Sequence, residues 1–213
     1  MNSSGKRFVY FLPFILLFTT SVAFYFFSTR FGQRPGYILG FVFYWLFWCI
    51  AIPFVLTGPK SIAALFKVHQ PALGQNKIRN ISFLVLPLIL VYAYEFPKVI
   101  QQADTIIIIS STALSIINAT AEEILWRGTF LKLMGQSSKW YVPFSSLGFA
   151  MWHFAPQIVF TNPNPGGSLS FVAVSFILGL FYSSVVKDTQ SILLTTASHI
   201  LFDFSGLGGR LYF

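Results

Sequence analysis

Apolar residues fall in long, almost uninterrupted runs separated by short polar turns, without the strict alternation of strands or the narrow apolar stripe of a surface helix. The runs cover residues 8–27, 36–56, 81–96, 105–133, 140–160, 169–186 and 191–207. A run of about 20 apolar residues is what a helix needs to cross about 30 Å of hydrocarbon, and barrel strands would read as alternating segments of about ten. The pattern therefore predicts an all-α fold, a polytopic membrane helix bundle of about seven transmembrane helices. It forms one integral membrane domain over residues 1–213, with no internal repeat.

The turns carry their own signals. Lys6-Arg7 followed by apolar residues 8–27 resembles a signal peptide, but the run is too long. Phe24-Tyr25-Phe26-Phe27 also offers no small-residue cleavage site, so a retained first helix is expected. Gly36 and Gly40 form a small-xxx-small pair that suits close approach of a neighbouring helix. Between residues 57 and 80 the chain turns polar and basic, and Ile62, Leu65 and Phe66 have the spacing of an interfacial amphipathic helix. A bend is expected at Pro87. The run at 105–133 is 29 residues long, enough for a tilted or locally broken helix. Any irregularity is expected at Ser110-Ser111-Thr112 and Asn118-Ala119-Thr120, whose side chains compete for backbone hydrogen bonds. Asn162-Pro163-Asn164-Pro165-Gly166-Gly167 cannot continue a helix.

Composition agrees with a membrane protein: 55% of residues are hydrophobic and 9% charged, against about 25% charged in an ordinary soluble domain. The net charge of +8 is spread singly between the apolar runs rather than gathered in a stripe, which argues against nucleic acid. It sets orientation instead. With the N-terminus in the cytoplasm, nine basic residues face inward (Lys6, Arg7, Lys60, Lys67, Lys77, Arg79, Lys132, Lys139, Lys187) and four face outward (Arg30, Arg34, Lys98, Arg210). The single cysteine, Cys49, permits no intramolecular disulfide and reads as a small buried hydrophobe, and His69 reads as a solvated loop residue.

Against this background the polar residues inside the runs stand out. Of six acidic residues, Glu122, Glu123 and Asp203 lie within predicted spans, as do His153 and His199. Ionisable groups in hydrocarbon are expensive unless paired, so they are functional candidates by default. Glu122 is ten residues from Lys132, His153 fourteen from Lys139 and His199 twelve from Lys187, or roughly 15, 21 and 18 Å along three helices. Three helices thus bring polar groups to similar depth.

Local spacing suggests roles. Glu123 and Arg127 are an i, i+4 pair, so the arginine can neutralise the second carboxylate. His199 and Asp203 share a face, and the aspartate can fix the histidine tautomer or join in binding. Phe149 and His153 also share a face, the phenylalanine giving an apolar wall. Glu122 with His153 and His199 can hold and activate a water, the carboxylate as general base. Alternatively, Glu122, His153, His199 and Asp203 bind zinc with an open position for that water. No H-E-x-x-H helix, G-x-S-x-G elbow or phosphate-binding glycine loop competes. A transporter or proton relay would also place such groups at mid-membrane, but would more usually show two repeated halves. A non-catalytic scaffold of protease-like fold is a third reading.

Glu122-Glu123-x-x-x-Arg127, then Phe149-x-x-x-His153, then His199-x-x-x-Asp203, in that order, resembles the motifs of the CPBP family of intramembrane proteases, which groups CAAX-processing and bacteriocin-processing enzymes. The resemblance implies a catalytic core in helices four to seven, residues 105–207, and a membrane endopeptidase whose Glu122, His153 and His199 activate water. In the family the third motif often ends in asparagine, and here it is Asp203, which accepts hydrogen bonds but when ionised cannot donate one to an oxyanion. Metal-independent and zinc-dependent forms are both implied. The metal-free form is favoured, because no third histidine joins the cluster. The expected partners are membrane lipids and a protein or peptide substrate entering from the bilayer: a prenylated C-terminus, a leader peptide or a C-terminal sorting helix. The expected location is a bacterial or archaeal plasma membrane.

Overall fold

The computed structural model describes residues 9–208; Lys6, Arg7 and the tail from Gly209, including Arg210, lie outside the described residues. Among the described residues the chain is helical throughout and holds no strand. Five helices are long and apolar enough to cross a membrane: α1 (Leu12–Phe31), α2 (Gln33–Thr57), α4 (Lys77–Tyr94), α6 (Thr105–Met134) and α8 (Gly167–Thr189). Between them lie the short α3 (Pro59–Leu65), α5 (Phe96–Ile100) and α7 (Tyr141–Trp152), and α9 (Leu193–Ser205) follows α8. The seven expected spans thus resolve into five full-length helices and two shorter ones. α7, with 12 residues, and α9, with 13, reach only about 18–20 Å at the helical rise.

α7 is short for a local reason. Pro156 has no N–H, and its ring excludes the carbonyl four residues earlier, so the regular pattern stops at Trp152 instead of running to residue 160. A tight 3₁₀ turn, Pro156–Ile158, follows. His153 therefore caps the end of a half-length helix.

α6 shows the opposite behaviour. Its Ser and Thr hydroxyls bond carbonyls four residues back (Ser110 to Ile106 at 2.7 Å, Thr112 to Ile108 at 2.8 Å, Ser115 to Ser111 at 2.7 Å), so they are absorbed into the helix and do not break it. The irregularity lies one stretch later, where Glu123–Thr129 widens into a π-helical turn and the Thr129 hydroxyl reaches the Ile124 carbonyl at 2.9 Å. Such bulges concentrate at functional sites. A second π-helical turn, Tyr44–Ala51, interrupts α2. α4 continues as one helix through Pro87.

Packing joins α1 to α2 and α7 to α8, while α9 lies against α6 and α4. The first pair depends on two glycines. A Cβ at Gly36 would sit 2.3 Å from the Ser28 backbone, and one at Gly40 would sit 2.3 Å from the Phe24 ring. The bundle is inverted relative to a soluble protein. Phe18, Tyr25, Val55 and Ile89 are exposed, whereas Glu122, Glu123, Arg127, Ser145, Ser183 and His199 are buried. Buried polar groups and an apolar outside suit lipid as solvent.

The two ends of the bundle differ. Ile192 N–H donates to the Leu65 carbonyl at 2.9 Å, Lys187 Nζ to the Ser138 carbonyl at 2.8 Å, and Arg79 pairs with Asp188 at 3.2 Å. These contacts gather Lys60, Lys67, Lys77, Arg79, Lys132, Lys139 and Lys187 at one end, leaving Arg30, Arg34 and Lys98 at the other. At the basic end Ile62 and Leu65 of α3 turn inward, the amphipathic arrangement their spacing predicts, and His69 is exposed in the loop. Cys49 is fully buried.

Candidate active site

The polar groups of α6, α7 and α9 meet at a cavity of about 280 Å³ that lies toward the less basic end. Glu122, His153, Asp203 and Asn118 line it, with aromatic walls from Tyr37, Phe41, Trp152, Phe160 and Phe171. α6 contributes Glu122 at its last regular turn, α7 contributes His153 at its cap, and α9 contributes Asp203 one turn after His199.

Glu122 is 1% exposed and is held from three directions. Its Oε1 accepts from the Trp152 indole N–H at 2.9 Å and from the Tyr44 hydroxyl at 3.3 Å. Its Oε2 accepts from the Asn118 carboxamide at 3.3 Å and lies 3.6 Å from His199 Nε2. Tyr44 in turn accepts from the Trp126 indole N–H at 2.8 Å, which leaves its own proton for the carboxylate. Three neutral donors orient the carboxylate and His199 stands back at 3.6 Å, so Oε2 keeps room for a further hydrogen-bonding partner.

Glu123 points elsewhere. Its Oε1 contacts Arg127 Nη1 at 3.2 Å and also His199 Nδ1 at 3.0 Å, all with side chains at most 2% exposed. The Arg127–Glu123 pair is the one its i, i+4 spacing predicts, but the second contact makes Glu123 the group that orients His199. Arg127 is stacked 4.0 Å over the Phe149 ring and 5.6 Å from Tyr182, with its own carbonyl bonded by the Tyr141 hydroxyl at 3.1 Å. A guanidinium over an aromatic face is attracted by the ring quadrupole. Phe149 is therefore a floor beneath Arg127, with edge contacts to His153 at 4.7 Å and His199 at 5.9 Å, and is buried below the cavity instead of forming its wall.

The two histidines differ in kind. His153 Nδ1 lies 2.7 Å from the Phe149 carbonyl, an acceptor only, so Nδ1 carries the proton and Nε2 is left as an acceptor in the neutral ring. His199 sits behind the cavity wall with carboxylates at both nitrogens: Glu123 at Nδ1, and Glu122 and Asp203 (3.4 Å) at Nε2. That is the environment of a ring that donates from both nitrogens. Asp203 thus meets His199 through Oδ1 while its Oδ2 accepts from Asn118 at 2.9 Å.

Among the described residues no three His, Cys, Asp or Glu side chains are arranged to hold a metal ion.

Sequence reasoning missed Tyr44, Trp45, Asn118, Trp126 and Trp152. Asn118 had a readable signal, since it lies four residues before Glu122 and shares its face, and Trp152 adjoins His153. The aromatics of α2 had none, being indistinguishable in sequence from their lipid-facing neighbours.

Residues 104–205 match the family described as type II CAAX prenyl endopeptidase Rce1-like. The matched segment runs from Asp104, whose side chain caps α6 through the Ile107 N–H at 2.8 Å, to Ser205 at the end of α9. No curated protein and no solved structure matches the chain.

Proposed function

From the match of residues 104–205 to the type II CAAX prenyl endopeptidase Rce1-like family, we propose that this chain is an intramembrane endopeptidase that hydrolyses a peptide bond in its cavity with Glu122 as general base. The observation that carries the proposal is the setting of Glu122: a buried carboxylate on the cavity wall, fixed by Trp152, Tyr44 and Asn118 yet not paired to Arg127.

In this reading a water sits between Glu122 Oε2 and His153 Nε2, both acting as acceptors for its protons. Glu122 takes one proton as the oxygen adds to the scissile carbonyl. The tetrahedral intermediate then collapses with cleavage of the C–N bond, and the same proton passes to the departing amine. His153 orients the water through Nε2, a different duty from donating to the oxyanion, because its proton is held on Nδ1 by the Phe149 carbonyl. His199, fixed by Glu123, directs its Nε2 at Glu122 and Asp203 and balances their charge from behind. The aromatic residues Tyr37, Phe41, Phe160 and Phe171 receive apolar side chains flanking the scissile bond.

At family level the substrate is a membrane-associated protein. The finer proposal is that its cleavable segment reaches the cavity from the bilayer, as a lipidated C-terminus, a leader or a C-terminal helix would. The test uses purified protein in vesicles with a quenched-fluorescent peptide ending in a farnesylated CAAX sequence, together with leader and C-terminal-helix peptides as alternative probes. Glu122→Gln and His153→Ala are each expected to lower turnover by about 10²–10⁴-fold, the usual contribution of a positioned base, while remaining folded. Full activity in Glu122→Gln would sink the assignment.

A further inference from the structure

Asn118 is polar, partly buried, and used at every hydrogen-bonding position of its side chain that the site can fill. Its Oδ1 accepts from the Trp45 indole N–H at 2.8 Å, and its Nδ2 donates to Asp203 Oδ2 at 2.9 Å and to Glu122 Oε2 at 3.3 Å. The sense of the amide is fixed twice. Trp45 can only donate, so it requires the oxygen on its side, and two carboxylate oxygens require the nitrogen on theirs. A reversed amide would set one oxygen against two carboxylates and an N–H against an N–H.

The bridge spans three elements. Glu122 is on the same helix as Asn118 and one turn away, so that contact follows from local geometry. Asp203 belongs to α9 and Trp45 to the π-helical turn of α2, so those two contacts exist only because the bundle packs this way. Glu122 Oε1 is already held by Trp152 and Tyr44, which leaves Asn118 as the neutral donor that places Oε2. On the opposite side of Asp203, His199 Nε2 holds Oδ1. Two acidic groups at one cavity wall repel each other, and a shared carboxamide with two N–H bonds counters that repulsion while adding no charge.

We propose that Asn118 is a positioning residue of the hydrolytic site: its carboxamide, oriented by Trp45, holds Glu122 Oε2 and Asp203 Oδ2 in one fixed arrangement on the cavity wall. The inference rests on Glu122 being the base. It adds that Asp203 works at its position because the hydrogen-bond donor it lacks is supplied from α6. The amide and carboxylate are then exchangeable as a pair: with the two groups swapped between α6 and α9, one side still donates and the other still accepts across the same gap.

The test has two arms on the full chain in vesicles. In the first, Trp45→Phe removes only the N–H that sets the amide sense. With the farnesylated CAAX peptide, kcat is expected to fall about tenfold with KM within about twofold, the mark of lost alignment without lost binding. Its thermal midpoint is expected to stay within about 2 °C of the parent. In the second arm, Asn118→Asp places a third carboxylate in the cluster and is expected to lower both kcat and the thermal midpoint. The exchanged pair Asn118→Asp with Asp203→Asn is expected to recover part of the midpoint, because one side again donates across the α6–α9 gap, while kcat stays low because Glu122 Oε2 has lost its donor. Wild-type kcat in Trp45→Phe, wild-type kcat in the exchanged pair, or an exchanged pair with a midpoint no higher than that of Asn118→Asp alone, overturns the proposal. The midpoint of the exchanged pair is read without turnover, so it decides the bridge even where Glu122→Gln stays active and the base assignment fails.

Discussion

Replacing Glu123 by glutamine keeps the shape of the side chain and removes its charge from a place where the bundle has no water to compensate. Arg127 then remains fully buried with its ion-pair partner neutralised, retaining only its stacking on Phe149 at 4.0 Å. The new amide also places N–H groups where Glu123 Oε2 has no hydrogen-bond partner. Breaking a buried pair by removing one partner costs about 3–5 kcal/mol, and the cation–π stacking, present in parent and variant alike, leaves that difference unchanged. For a chain of 213 residues, 3–5 kcal/mol corresponds to a thermal midpoint lower by roughly 6–20 °C. The molecule carries its own reporter. Cys49 is the only cysteine in the sequence and is fully buried, so a thiol-reactive fluorophore records unfolding at one site. Glu122→Gln is the comparison: its carbonyl keeps the Trp152 and Tyr44 bonds and it loses only the longer Asn118 and His199 contacts at 3.3 and 3.6 Å, so its midpoint is expected to fall by less than that of Glu123→Gln although turnover is lost. A Glu123→Gln protein that melts within about 2 °C of the parent would refute the reasoning that this carboxylate is the structural member of the pair.

Other outcomes follow from the same contacts. Gly40→Val is expected to destabilise the α1–α2 pair by about 1–3 kcal/mol, because a Cβ there stands 2.3 Å from Phe24; an unchanged melting curve would show that the two helices do not need this approach. Cleavage is expected to survive exhaustive chelation, with elemental analysis finding less than one equivalent of zinc; activity lost on chelation and regained with zinc would overturn the metal-free reading.

Much of the candidate site was legible because it is local. Helical geometry alone sets Glu123 against Arg127 and puts His199 and Asp203 on one face, and the structure keeps both relations at 3.2 and 3.4 Å. Counting from the flanking lysines brings α6, α7 and α9 together at one depth, though for His153 the reason differs from the one expected. It caps a helix that Pro156 stops early and does not lie midway along a long one. The separation of the two glutamates was legible only in part. Glu123 does pair with Arg127, but it also holds His199, a contact 76 residues apart that spacing cannot reveal. The break expected at the Ser and Thr clusters failed because hydroxyls in an apolar surrounding satisfy the carbonyl four residues back at little cost to the helix.

The sequence by itself determined the solvent and which groups had to find partners. Apolar runs of transmembrane length required a helical bundle in lipid, and a few ionisable residues inside them required partners. Tertiary structure alone decided who those partners are. Tyr44 and Trp45 of α2 reach Glu122 and Asn118 across more than 70 residues of chain, and Phe149 becomes the floor of Arg127 instead of a wall of the cavity. The physical reason is one of range. Within a helix, rise and turn fix which side chains meet, whereas between helices the meeting depends on how closely glycines, proline stops and π-helical turns let whole elements approach.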